Sequence, residues 1–122
     1  MSTEVYQLQA QLCKGLSHPV RVQLIELLCS GMTRFSELQQ ATGISKSSLS
    51  QHLSLMTAAG LVCQQREGQI LKLCLSSEKV ARACALMREV LQEHLQRQQD
   101  RLLQWQTAVG QAESAHQANL NL

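Results

Sequence analysis

One short stretch of the chain concentrates small hydrogen-bonding side chains around two leucines. From Ser45 to Leu53 the sequence reads SKSSLSQHL, and Leu49 and Leu53 are spaced for one face of a helix. The opposite face and the N-terminal end carry Lys46, Ser47, Ser48, Ser50, Gln51 and His52. A glutamine amide can pair with a base edge, a hydroxyl with a base or a phosphate, and an ammonium with a phosphate. A merely solvated helix would not need so many serines, which are mediocre helix formers, so the stretch predicts a helix that enters the major groove of DNA.

A second polar cluster surrounds the dipeptide Glu67-Gly68, a typical two-residue turn of a β-hairpin. The apolar residues alternate with polar ones on both sides of it, at Val62, Leu71, Leu73 and Leu75. The polar residues are Gln64, Gln65, Arg66, Gln69 and Lys72. We expect Arg66 and Lys72 to contact phosphates or the minor groove, with Gln69 beside them. For any single one of these residues, an ordinary solvated hairpin is the alternative.

Five cysteines carry the remaining chemistry. Their odd number and the lack of a CxxC pair do not fit a secreted disulfide framework. Three convergent thiolates would suit arsenite or another soft metal, and two would suit a disulfide or polysulfide bridge. With Glu67-Gly68 as the turn, Cys63 faces Lys72 and Leu61 faces Cys74. The sequence therefore predicts that the two hairpin thiols are not directly opposed.

Composition narrows the class of protein. The net charge of +2 is too small to indicate nucleic acid by itself, but Leu38 to Arg66 contains no acidic residue. An acid-free stretch suits a surface that faces phosphates, although a polar surface that simply lacks charge gives the same pattern. Without an N-terminal signal or a membrane-length apolar run, we expect a cytoplasmic protein with no membrane partner. The sequence shows no Ser/His/Asp, paired-carboxylate, P-loop or HExxH pattern, so we do not expect an enzyme.

The elements that position these residues are mainly helices, since the chain has one Pro and only three aromatic residues. The spacing predicts helices near 4–16, from Pro19 to Ser30, from about Arg34 with Thr33 or Ser36 as its cap, and from Lys46 to Ala59. A hairpin follows, and after Ser76-Ser77 a long helix begins that lasts beyond Val109. This order is that of a winged helix-turn-helix, mainly α with a β-hairpin wing and a long C-terminal helix.

Five ordered motifs resemble the ArsR/SmtB family of repressors across roughly residues 5–90. They are LSHPVR from Leu16, FSEL from Phe35, SSLSQHL from Ser47, AGLV from Ala59 and REG from Arg66. The resemblance implies a homodimer that packs through its first and last helices and binds an imperfect palindrome in double-stranded DNA. It also implies derepression when an effector, such as a metal ion, arsenite or a sulfur oxidant, binds or modifies the protein.

The family's effector sites correspond mostly to unsuitable residues in this sequence. One metal site would fall at Arg34-Phe35-Ser36-Glu37, which has no thiol; the other would fall at Ser77, Lys79, Val90 and Glu93. The positions of the family's sensing thiols hold Glu26 and Gln92, although Cys29 and Cys84 lie on the same helices. In a dimer of the family type, Cys13 and Cys84 would meet at the interface. We therefore prefer Cys13 and Cys84 as the sensing pair, with Cys29 as a third candidate; packing as small hydrophobic residues is the alternative.

The last helix predicts a further interface. Leu91, Leu95, Gln98, Leu102, Trp105 and Val109 follow steps of four, three, four, three and four, which is coiled-coil spacing. We expect a DNA-binding domain at 1–90, a helical extension for dimerisation at 91–110, and a frayed tail at 111–122. Two alternatives to an effector-controlled repressor stay open: a constitutive regulator with structural cysteines, or a protein-interaction module that uses the C-terminal helix.

Overall fold

The computed structural model describes residues 2–120 and has the winged helix-turn-helix architecture that the sequence predicts. Its helices are α1 (Thr3–Lys14), α2 (Pro19–Cys29), α3 (Phe35–Thr42), α4 (Lys46–Ala58) and α5 (Glu78–Leu120). Its strands, β1 (Val62–Glu67) and β2 (Ile70–Leu75), form one antiparallel hairpin. The mainly helical fold with a hairpin wing and a long C-terminal helix is confirmed.

Local capping explains where α2 and α4 begin. Pro19 is the first residue of α2, and the Nδ1 of His18 accepts a hydrogen bond from the backbone N–H of Val20. Ser45 caps α4 by accepting from the N–H of Ser48 at 3.1 Å. Gly43 ends α3 at φ 71°, a left-handed conformation that glycine adopts without a Cβ clash.

The predicted cap of α3 is wrong. Neither Thr33 nor Ser36 caps this helix; the cap residue is Arg34, whose side chain makes no capping hydrogen bond. The cause is a pairing with the wing, since the carbonyl of Thr33 accepts from the N–H of Leu73 and Arg34 forms a β-bridge to Lys72. The backbone before α3 is therefore extended, and it fastens the wing to the helix-turn-helix.

Aliphatic side chains from three helices and the wing form one core. Its buried residues are Leu24, Ile25, Leu28, Leu38, Leu49, Leu53, Met56, Leu61, Val62 and Leu73. The inner face of α4 therefore consists of Leu49, Leu53 and Met56, as the helical spacing predicts. Since Val62 and Leu73 belong to the same core, the hairpin is held against α4 by apolar burial.

The hairpin turn lies one residue further along the chain than predicted. The loop consists of Gly68 and Gln69, so Glu67 pairs with Ile70 and Cys63 pairs directly with Cys74. Gly68 has φ +61°, and within the described residues all positive φ values belong to glycines. A turn with Glu67 in its first central position would need a positive φ at glutamate. A turn with Gly68 in that position places the positive φ on a glycine instead. The prediction that the two hairpin thiols are not opposed is therefore wrong.

The C-terminal helix crosses the boundary between two compact units of the chain. This boundary falls after Ala85, and the functional division at residue 90 stays a prediction. Residues 111–120, expected to fray, continue α5 as far as Leu120. This segment is rich in Ala and Gln and has no Pro or Gly after Gly110, so it favours a helix. The end of the predicted tail, 121–122, lies outside the described residues.

Candidate DNA-binding surface

The N-terminal half of α4 exposes the polar face that the sequence predicts. Lys46, Ser47, Ser50 and Gln51 are exposed, whereas Ser48 is half-buried and its backbone N–H donates to the Oγ of the capping Ser45. The hydroxyls of Ser45 and Ser47 lie 3.3 Å apart, which orients the first turn. No acidic residue lies in the first turn of α4. The first turn therefore presents the N-terminus of a helix, exposed hydroxyls and one ammonium, all of which can bind phosphate.

An open groove lies between the start of α3, the start of α4 and the tip of the wing. It has a volume of about 420 Å³ and is lined by Arg34, Phe35, Ser36, Lys46, Ser50, Arg66, Gln69, Ile70 and Leu71. The three charged residues of this lining are all cations: Arg34 precedes α3, Lys46 is the first residue of α4, and Arg66 belongs to β1. The groove therefore brings together four predicted site residues: Lys46, Ser50, Arg66 and Gln69.

Arg34 and Ser36 are site residues that sequence reasoning missed. Arg34 reaches the groove because its backbone forms a β-bridge to Lys72 of β2. The hydrophobic periodicity of the sequence does not predict this pairing. The Nε of Arg34 lies 3.7 Å from the Oε1 of Glu37, an exposed ion pair within one turn of helix. One feature of the sequence could have identified them: both residues lie at the start of the first helix of the helix-turn-helix, and this helix crosses the DNA backbone.

Lys72 and Arg66 lie on opposite faces of the wing. Arg66 pairs with Leu71, on the face that continues to the buried Val62 and Leu73, and so it lies at the groove. Lys72 pairs with Gln65 on the other face, and its Nζ lies 3.0 Å from the Oε2 of Glu67. The ammonium of Lys72 therefore already has a carboxylate partner, whereas the guanidinium of Arg66 lines the groove.

His52 has a different environment from the rest of its predicted set. Its ring is half-buried, 4.4 Å from the ring of His18, and its Nδ1 lies 3.2 Å from an Nη atom of Arg21. Burial lowers the pKa of His52, and the nearby His18 and Arg21 lower that pKa further. We therefore assign this histidine, as a neutral ring, to the packing of α4 against α2.

The cysteines fall into two groups. Cys13 and Cys29 are exposed thiols, and Cys84 is half-buried against the core. Cys63 and Cys74 are joined by a disulfide across the two wing strands, with their Cα atoms 5.2 Å apart. Among the described residues, no group of three His, Cys, Asp or Glu side chains is placed to hold a metal ion.

Several large apolar side chains of α1 lie outside the core. No residue of this helix is buried, and Val5, Tyr6, Leu8 and Leu12 are each at least 40% exposed. From Leu86 onward, α5 likewise exposes Leu86, Met87, Val90, Leu91, Leu95, Leu102, Leu103 and Trp105. Apolar residues in such numbers mark an interaction surface. Within the described residues, every helix is too short or too polar to cross a membrane.

The fold and the cationic groove define a winged helix-turn-helix DNA-binding regulator. A sequence profile of the family described as "Bacterial regulatory protein, arsR family" matches residues 18–63. The HTH-type transcriptional regulator YgaV of Escherichia coli is 37% identical over 95 residues, which cover 72% of this chain and 96% of YgaV. The chain belongs to the arsR family of bacterial regulatory proteins.

Two solved structures extend the comparison to the fold. The homodimeric winged helix-turn-helix DNA-binding domain of Mycobacterium bovis Mb0332 matches with a TM-score of 0.70 at 31% identity, over 78% of this chain and 91% of that one. The transcriptional repressor BigR of Xylella fastidiosa matches with a TM-score of 0.61 at 30% identity, over 74% and 96% of the two chains. The predicted resemblance to the family is confirmed.

Proposed function

We propose that this protein is a cytoplasmic transcriptional repressor, without enzymatic activity, that binds a palindromic operator as a homodimer. The observation that carries the proposal is the groove in which Arg34, Lys46 and Arg66 meet beside the exposed face of α4. Three cations from separate parts of the fold can neutralise neighbouring phosphates while Ser47, Ser50 and Gln51 reach base edges. Repression by BigR and the homodimeric state of the Mb0332 domain support the same assignment.

Dimerisation follows from the uncovered helices. A lone α1 leaves Val5, Leu8 and Leu12 in water, and their burial against a second copy would release roughly 25 cal/mol per Å² of apolar area. Two copies related by a two-fold axis would present two α4 helices to successive major grooves. The operator is then an inverted repeat with half-sites about one helical turn apart.

Control by an effector is the finer part of the proposal. The exposed thiols of Cys13 and Cys29 and the half-buried thiol of Cys84 are the candidates for a thiol oxidant, reactive sulfur, arsenite or a soft metal. Cys13 lies on α1, whose apolar side chains are exposed, so a modification there would disturb the proposed dimer interface. We therefore expect modification of these thiols to lower the affinity for DNA.

Fluorescence anisotropy tests this function. The reduced protein is titrated onto the DNA upstream of its own gene, and again after treatment with diamide or a polysulfide. Tight binding that oxidation reverses would support the repressor and its thiol control, and loss of that response in Cys13→Ser or Cys84→Ser would locate the switch. Tight binding that is indifferent to oxidant and arsenite would instead favour a constitutive regulator.

The exposed apolar residues of α5 favour a second candidate, a protein-interaction module that uses this C-terminal helix. The same titration separates the two functions. An interaction module would bind no DNA in either redox state, and the repressor proposal would then be abandoned.

A further inference from the structure

The face of the wing that carries Gln65 and Lys72 also carries a pair of sulfur atoms outside the predicted sensing set. Cys63 of β1 and Cys74 of β2 are directly opposed residues, and a disulfide joins them. Their Cα atoms are 5.2 Å apart, within the range that a disulfide spans without movement of the backbone. Both side chains are half-buried rather than enclosed, so a small oxidant can reach them.

The pairing of the two strands does not depend on the sulfur–sulfur bond. Six residue pairs, from Val62–Leu75 to Glu67–Ile70, join the strands, and Val62 and Leu73 are buried in the core. On reduction the two sulfurs would move apart by rotation of the side chains. In the disulfide form each Sγ lies 3.5 Å from the carbonyl oxygen of the opposite cysteine, so an acceptor for a weak S–H donor is close by. We therefore expect the bond to form and break while the wing stays folded.

We propose that Cys63 and Cys74 form a reversible disulfide site that a low-molecular-weight disulfide oxidises, and that this bond raises DNA affinity by fixing the wing. One cysteine thiolate attacks a sulfur of RSSR and releases RS⁻, which gives a mixed disulfide. The second cysteine attacks the protein sulfur of that mixed disulfide and releases the other RS⁻. The protein loses two electrons and two protons, and RSSR becomes two RSH.

The effect on DNA follows from what the bond encloses. Cys63 and Cys74 are 11 positions apart, and the loop between them holds Arg66 and Gln69, both of which line the cationic groove. A covalent link across the strands removes conformational freedom from this loop before DNA arrives. Because less ordering remains for the binding step, the oxidised wing should bind DNA about fivefold more tightly than the reduced wing.

This DNA effect rests on the proposed function, but the chemistry of the site does not. The full chain carrying Cys13→Ser, Cys29→Ser and Cys84→Ser is equilibrated with glutathione disulfide, then with dithiothreitol. We expect an intact mass lower by two hydrogens that dithiothreitol restores, and slower amide exchange in the wing of the oxidised form. Alkylation mapping of the wild-type chain repeats the measurement without any substitution and should show Cys63 and Cys74 protected together.

DNA titrations of the two forms complete the test. The oxidised triple variant should bind the upstream DNA about fivefold more tightly than its reduced form, and Arg66→Gln should remove most of that difference. A stable mixed disulfide without ring closure, or ring closure with unchanged affinity, would overturn the inference while operator binding by the reduced protein stood. If neither form binds DNA, the proposed function is wrong. The gain in DNA affinity is then wrong as well, even if the intact mass shows that the disulfide forms.

Discussion

At the level of single residues, the charge of the groove is shared among three cations. Arg34 precedes α3, Lys46 opens α4 and Arg66 lies near the tip of the wing, so the fold brings like charges together in the free protein. Like charges that share one groove repel one another, and a bound phosphate relieves that repulsion. The groove is therefore built for an anion, and each cation should contribute to DNA affinity with little dependence on base sequence.

Arg34→Gln tests the residue that the sequence did not reveal. We expect affinity for any duplex to fall about fivefold to tenfold, with the slope of log K against log salt reduced by about one. Arg82→Gln is the matched control, because Arg82 is also an exposed arginine with a glutamate partner nearby in the sequence but does not line the groove. Equal losses in both variants would argue against a phosphate contact at Arg34.

His52 predicts a pH dependence of stability. Its folded pKa lies below its unfolded value, so between the two values the unfolded chain binds more protons. The stability contributed by neutral His52 is therefore complete above the unfolded pKa of about 6.5 and is lost as the pH falls through the folded value. Urea unfolding at pH 7.5 and at pH 5 should show a smaller loss on acidification in His52→Gln than in the wild type. His116→Gln, at an exposed histidine of α5, should keep the wild-type loss.

Helical periodicity separates the buried from the polar residues of α4, and Leu49, Leu53 and the exposed Lys46 and Gln51 lie as expected. It does not say which other element packs beside a polar residue. The ring of His52 meets α2, and Arg34 reaches the groove through a bridge to β2. Both placements depend on tertiary pairing, which one sequence does not specify.

At the level of elements, a close approach at Gly15 fixes the end of α1 to the rest of the domain. A Cβ at this position would lie 2.8 Å from a Cδ1 of Leu61 and 2.9 Å from the Cβ of Ala59. Leu61 is a buried core residue, so little room exists for it to move. The position of the hairpin turn is equally exacting: moving the turn by one residue would change the partner of Cys63 from Cys74 to Lys72.

Gly15→Ala should therefore lower the free energy of unfolding by about 1–3 kcal/mol through overpacking. The same substitution at Gly110, inside α5 and with open space around it, should raise helix stability by about 0.5–1 kcal/mol. Urea denaturation measures both. A stabilised Gly15→Ala variant would contradict the close approach of α1 to Leu61.

The turn of the wing could have been placed from the sequence alone. Only one of the two alternative turns puts its positive φ on Gly68, and the other requires it at Glu67. The helical tail was likewise readable, since residues 111–120 lack Pro and Gly. The cap of α3 was not readable in this way, because the pairing of Thr33 with Leu73 joins distant parts of the chain.

At the level of the whole molecule, the proposed function requires a second copy of the chain, which covers the exposed apolar side chains of α1. Leu12 is 43% exposed on α1, and Ile70 is 40% exposed on the wing, so the two offer a matched pair of apolar positions. Leu12→Lys should shift the protein toward monomer in sedimentation velocity, because a charge enters the proposed apolar interface. Ile70→Lys should leave the sedimentation coefficient unchanged. A dimer that tolerates Leu12→Lys would place the interface elsewhere.

Hydroxyl-radical footprinting shows whether two copies of α4 read one operator. The reduced protein is placed on the DNA upstream of its own gene, with Lys46→Gln and Lys79→Gln compared at equal concentration. We predict protected patches related by a two-fold axis, with half-sites about 10 base pairs apart, that weaken with Lys46→Gln and persist with Lys79→Gln. Uniform protection along the duplex, or no protection, would mean that two copies of α4 do not read one operator.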